Sequence, residues 1–236
     1  MKAKYNLPKN VVFCKKCVMS NQRPSSISEF FHTKERKGAQ YLNINKRDGI
    51  CDACKQNDIK NKINWKDREK KLINLLDKHR KNNGEYDCLV PGSGGKDSAF
   101  QAHILKYKYK MNPLILTWPP ILYTDYGLKN YNNWINVGGF DALVVRPNGK
   151  VMKELTKFSI SNLLHPFQTF ILGQKNVAPK IASKFNINLV FYGENEAEYG
   201  NPIAENNDSL RKKSYFAVKN YNNIYLAGIK ISELIK

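Results

Sequence analysis

The sequence predicts an α/β fold, a doubly wound parallel sheet preceded by a small N-terminal module that carries four cysteines. Three observations carry this. From residue 65 onward, short apolar β-rich runs alternate with amphipathic stretches. A glycine-rich turn, SGGKDS at 93–98, joins one such run to a helical pattern. Two C-x-x-C pairs lie in a polar N-terminal segment with little to form a core. We therefore expect a four-cysteine module over 1–60, a linking helix over 61–84 and an α/β domain over 85–236.

The cysteine pairs are Cys14/Cys17 and Cys51/Cys54, with 33 residues between them. Each pair sets two thiolates on one tight knuckle, and two knuckles close a tetrahedral zinc site. The intervening SNQRPSSISEFFHTKERKGAQYLNINKRDG is polar, so a zinc-ribbon-like module of this kind needs its metal to stay folded. Two disulfides or a redox pair are the alternatives. A cytoplasmic setting opposes the first, and a single pair would serve the second. His32 is expected to be a surface histidine.

In WKDREKKLINLLDKHRKN (65–82) the apolar residues fall on one face, which predicts an amphipathic helix. DCLVP (87–91) reads as a short buried strand with Cys88 packed in it. The turn follows, then a helix over 97–108, with Asp97 or Ser98 at its start as cap. Further strands are expected at 113–118, 141–146, 187–193 and 223–228. Helical patterns lie near 127–137, 150–164 and 174–185. In such a sheet the carboxyl ends of the strands bind the ligand, which places the turn, Trp118, Arg146 and Gly193 at one edge.

The turn has the chemistry of an anion cradle. Gly92, Gly94 and Gly95 leave backbone N–H groups bare. The helix behind them points its positive end the same way. Lys96 adds a charge, and Ser93 and Ser98 add hydroxyl donors. The spacing fits neither the mononucleotide G-x-x-x-x-G-K-[ST] loop nor the dinucleotide G-x-G-x-x-G turn.

The net charge is +19, with 39 Lys and Arg against 20 Asp and Glu. Lysine supplies 32 of the 39 and is spread along the chain, which is the pattern of compositional bias rather than a base-reading surface. A nucleic-acid partner is disfavoured on this ground. The N-terminus MKAKYNLPKN has no apolar core of a secretory signal, and no run approaches a membrane span, so a cytoplasmic protein is expected.

SGGKDS matches the motif of the PP-loop ATP pyrophosphatases. A wider set, CKKCVMSNQRP (14–24), GICDACK (49–55), DREKKL (67–72), YDCLVPGSGGKDS (86–98), LTWPP (116–120), LGQKN (172–176) and FYGENEAEYGNP (191–202), resembles the N-acetyl sugar amidotransferases of flagellin and lipopolysaccharide sugar modification. The likeness runs from about residue 10 to about 230. It implies ATP, Mg²⁺ and structural zinc, and a nucleotide-linked N-acetyl sugar whose acetamido oxygen is adenylated and replaced by ammonia. It also implies a separate glutaminase subunit, with a cyclase-like ammonia-channelling partner. Members of that family usually continue beyond ISELIK, so a shortened C-terminus is expected.

On this resemblance Ser93, Gly94, Gly95, Lys96, Asp97 and Ser98 hold the phosphates, with Lys96 and Asp97 acting in catalysis. Thr117 and Trp118 lie where adenine is expected, or they pack the core. Glu194 and Glu196, with Glu198, hold Mg²⁺ or the sugar, or form a solvated acidic turn. Gln174 and Lys175 open a helix near the same edge, where Lys175 neutralises substrate phosphate or is one more lysine. His165 is read as structural. The alternatives are a PP-loop tRNA-modifying enzyme, thiolase or ligase, and an inactive nucleotide-binding scaffold. The lack of any cysteine after Cys88 counts against thiolation.

Overall fold

The computed structural model describes residues 7–23, 29, 42–193, 216 and 224–234. Along the chain run α1 (Asp52–Asn61), α2 (Trp65–His79), β1 (Cys88–Pro91), α3 (Lys96–His103), β2 (Pro113–Thr117), α4 (Asp125–Asn132), β3 (Ala142–Val144), α5 (Gly149–Leu163), α6 (Gln168–Lys184), β4 (Tyr225–Leu226), β5 (Ile229–Lys230) and α7 (Ile231–Leu234). Helices α3 and α4 each run on into a five-residue π-helical turn, Ile104–Lys108 and Asn133–Val137. Two compact units result. One is Trp65–Glu194, and the other joins Met1–Asn64 with Asn195–Lys236. No helix of the described residues is long and apolar enough to cross a membrane.

Strands β1, β2 and β3 form a parallel sheet in that order, with Cys88 opposite Pro113 and Ile115 opposite Ala142. On the free edge of β1, Leu89 bridges Val190 in parallel; its N–H donates to Leu189 and its carbonyl accepts from Phe191, both at 2.9 Å. The strand expected at 187–193 is thus present as one bridge. Spatially the order is β3, β2, β1, then the 189–191 segment, so the winding reverses at β1.

The strand residues alternate between two cores. Cys88, Val90 and Ile115 face Leu76 of α2, Ala102 of α3, Leu105 and Trp134. Leu89, Leu114 and Leu116 face Val177, Ala178 and Ala182 of α6. This is why β1 and β2 read as unbroken apolar runs, since both faces are covered. The 61–84 helix belongs to this unit, because Leu72 and Leu76 pack into the first core. Buried Asp87 ties its end to the sheet, accepting from the N–H of Lys81 at 2.7 Å and of Asn112 at 2.8 Å.

Two expectations are corrected. The 223–228 run does not join the parallel sheet. Tyr225–Leu226 pairs antiparallel with Ile229–Lys230 through a turn at Ala227 and Gly228, both with positive φ. The helix expected at 174–185 starts at Gln168. Its first turn, QTFI, lacks the polar cap and periodic pattern that mark a helix start, and Phe167 caps it with no side-chain bond.

Candidate functional site

The glycine-rich turn, residues 92–98, lies at the carboxyl end of β1, where the winding reverses. In a sheet of this kind that point opens the crevice that binds ligands. The N–H of Gly92 donates to Leu116 at 2.9 Å, and the buried Thr117 hydroxyl donates to the Gly92 carbonyl at 2.8 Å. Both bonds anchor the loop to β2. A Cβ at Gly92 would lie 2.4 Å from the Ser98 hydroxyl. Gly94 has φ +91°, and a Cβ there would lie 2.8 Å from the Tyr131 backbone. The N–H groups of Ser93, Gly94 and Gly95 reach no acceptor among the described residues.

Gly95 is the N-cap of α3 and supplies no side-chain bond. The expected cap at Asp97 or Ser98 is therefore corrected. Asp97 lies in the first turn and pairs with Lys96 at 2.7 Å on an exposed surface, while Ser98 donates back to the Gly95 carbonyl at 3.1 Å. Among the described residues no side chain caps the start of α3. Bare N–H groups, a helix start and Lys96 follow one another over residues 93–96, a donor set whose chemistry fits a pyrophosphate. On the far side a Cβ at Gly193 would sit 3.2 Å from the Ser98 nitrogen, and Gln101 Nε2 donates to the Tyr192 carbonyl at 3.1 Å. Burial pushes the Tyr192 phenol up to about 12.

Other expected residues are placed less simply. Thr117 braces the loop from a buried position. Trp118 lies against Gly173 of α6, where a Cβ would come within 2.2 Å of its ring, and its indole N–H is buried without a partner among the described residues. Gln174 and Lys175 sit inside α6 rather than opening it, with Gln174 exposed. Glu194, Glu196, Glu198 and His32 lie outside the described residues. Sequence reasoning passed over Tyr131 and Trp134, which wall the loop at Gly94 and Gly92. The close glycines themselves were the available signal.

The four cysteines form a second centre. Cys14 Sγ lies 3.9 Å from Cys54 Sγ, Cys17 Sγ lies 3.6 Å from Cys51 Sγ, and all four sulfurs fall within 4.8 Å of one another. A tetrahedral site with Zn–S bonds of about 2.3 Å has edges of about 3.8 Å, so the set fits zinc. A tight turn bridged at Phe13 and Ser20 carries the first pair. The second pair departs from the expected ribbon knuckle. Cys51 ends a turn bridged to Ile44 and caps α1, while Cys54 lies in the first turn of that helix. The thiols are not equivalent. Burial raises Cys14, but the N–H groups of Cys51, Lys16 and Cys17 outweigh it and lower the thiol to about 6. Burial raises Cys51 and Cys54.

No family model matches the chain. A curated protein of Methanocaldococcus jannaschii, described as uncharacterized protein MJ1599, is 38% identical over 65 residues, which is 28% of this chain and 23% of that protein. The chain thus aligns with about a quarter of that relative's length. Among solved structures, NMN synthetase from Francisella tularensis superposes with a TM-score of 0.42 at 18% identity, covering 58% of this chain and 57% of that one.

Proposed function

We propose that this chain is a PP-loop ATP-using enzyme that converts the acetamido group of a nucleotide-linked N-acetyl sugar to an acetamidino group, with release of AMP and pyrophosphate. The observation that supports the reading is the loop itself, in which three N–H groups without an acceptor among the described residues, a helix start with no side-chain cap and Lys96 follow β1 where the sheet winding reverses.

The chemistry follows from the leaving group. An amide oxygen departs poorly; transferred onto the α-phosphorus of ATP, it departs as AMP. The amide oxygen attacks that phosphorus, and the bond to the bridging oxygen of pyrophosphate breaks. The loop N–H groups and Lys96 take up the charge that develops on pyrophosphate. Ammonia then adds to the activated carbon, AMP leaves with the oxygen, and a proton is lost to give the amidine. Mg²⁺, held with the triphosphate by Asp97, would supply further charge neutralisation.

Ammonia comes from a separate glutaminase subunit. A glutaminase requires a reactive thiolate. Cys88 is fully buried, with its thiol pushed up to about 12 by burial and the neighbouring Asp87. Zinc on the four cysteines holds the N-terminal module.

The test is mass spectrometry of a reaction with ATP, Mg²⁺, an ammonium salt and a panel of nucleotide-linked N-acetyl sugars, with bulk tRNA in a parallel tube. A product in which NH replaces oxygen, formed with AMP and pyrophosphate, supports the reading. AMP release in the tRNA tube alone overturns it in favour of RNA modification.

A further inference from the structure

We propose that Arg146 is a second phosphate-recognition point on the carboxyl edge of the sheet, and that it holds the phosphate of the nucleotide-linked substrate rather than that of ATP. The proposal rests on the reading above for the identity of that substrate.

Contacts lead from the glycine loop along this edge as far as Tyr123. Gly94 abuts the backbone of Tyr131. The Tyr131 ring lies 6.0 Å from the Tyr123 ring, tilted by 41°. Burial and Tyr131 raise the Tyr123 phenol, and the nearby Arg146 charge opposes them. Arg146 follows Val145, whose N–H donates to Thr117 at 2.9 Å, so it leaves the sheet at the same edge as the loop. β3 is two strands from β1, a lateral offset of roughly 10 Å. Flanking Tyr123 in the chain, Leu122 and Tyr126 are 86% and 81% exposed.

Arg146 is also chemically distinctive. Arginine supplies only 7 of the 39 basic residues, so lysine would be the default at an undemanding position. Arg80 shows a structural use, holding the Tyr109 and Lys110 carbonyls and Asp77. Arg146 is exposed and pairs with no acid among the described residues. A planar guanidinium matches phosphate in a two-pronged bond, and tyrosine rings offer a face to a nucleobase. The loop and Lys96 already answer the triphosphate of ATP. A nucleotide-linked sugar brings its own phosphate and base, which are the two groups that Arg146 and Tyr123 suit.

The experiment titrates the zinc-loaded full chain, saturated with a non-hydrolysable ATP analogue and Mg²⁺, with UDP and with CMP. Arg146→Ala is expected to weaken the better probe by roughly tenfold or more, and Arg146→Lys by less, with affinity for the ATP analogue held within about twofold. Tyr123→Ala should weaken the probe and Tyr123→Phe should restore it. Equal loss of the ATP analogue in Arg146→Ala would assign the residue to ATP and overturn the proposal. So would unchanged probe binding, or no binding of either probe by the parent chain. Turnover separates the two ideas. If free and nucleotide-linked N-acetyl sugars are amidinated with the same KM, the inference falls and the amidotransferase reading stands. If UDP or CMP binds through Arg146 while no sugar is amidinated, the reading falls and the inference stands.

Discussion

The Thr117 hydroxyl donates to the carbonyl of Gly92 across 2.8 Å, joining the end of β2 to the first residue of the glycine loop. Thr117 is fully buried, whereas Gly92 is half-buried, so the bond holds the loop from the inside of the sheet. Thr117→Val, which keeps the shape and removes the donor, is expected to cost about 1–3 kcal/mol and to weaken ATP binding. Thr117→Ser should recover most of both. Urea unfolding and titration with a non-hydrolysable ATP analogue read the two effects separately.

Two neighbouring glycines should answer differently to the same substitution. Gly94 has φ +91° and meets the Tyr131 backbone, so Gly94→Ala forces a left-handed alanine against main chain. Loss of about 1–2 kcal/mol from the backbone alone, more from the contact, and a collapse of ATP affinity are expected. Gly95 has φ −67° and nothing within 4 Å of a Cβ. Gly95→Ala should hold stability within about 1 kcal/mol, the cost of a poorer cap. Thermal melts of the two variants side by side test this contrast.

The sequence was most legible where local and tertiary demands agree. β1 and β2 are apolar on both faces because helices cover both, so their runs were plain. α4 and α5 start at Thr124 and Asn148, whose side chains accept from the first turn. It was less legible where a partner decides. Tyr225–Leu226 has the composition of a sheet strand, yet a positive-φ turn sends it into a local hairpin. Trp118 follows β2 as an aromatic expected at the adenine or in the core, and Gly173, 55 residues on, gives its ring a seat on α6. Only tertiary structure brings that pair together.

Zinc removal should act on the module and spare the sheet unit. Its core, Cys14, Leu42 and Cys51, is made largely of the metal ligands themselves, whereas residues 65–194 enclose two clusters of their own. Elemental analysis is expected to find one zinc per chain. A strong chelator should abolish the dispersed NMR signals of residues 7–23 and 42–61 while those of β1–β3 persist. Because burial holds Cys51 and Cys54 protonated above the ordinary thiol range, binding must expel those protons, and zinc affinity should fall as pH falls. Cys51→Ser should mimic the chelator at every pH.

Cys88 gives a pH dependence of opposite sense. Its thiol is raised from 9.0 to about 12, by burial first and Asp87 second. The folded chain therefore favours the neutral thiol. That contribution is complete below about pH 9 and is lost as pH rises towards 12, at about 1.4 kcal/mol per pH unit for one proton. Cys88→Ala deletes this slope, so urea-unfolding curves of parent and variant should converge between pH 9 and 11, after an offset at pH 7 from the small cavity. The same burial should keep Cys88 unmodified by iodoacetamide at pH 8 until denaturant is added. Rapid alkylation of the native chain would require a thiolate that reaches solvent, against the sealed position of Cys88 in β1.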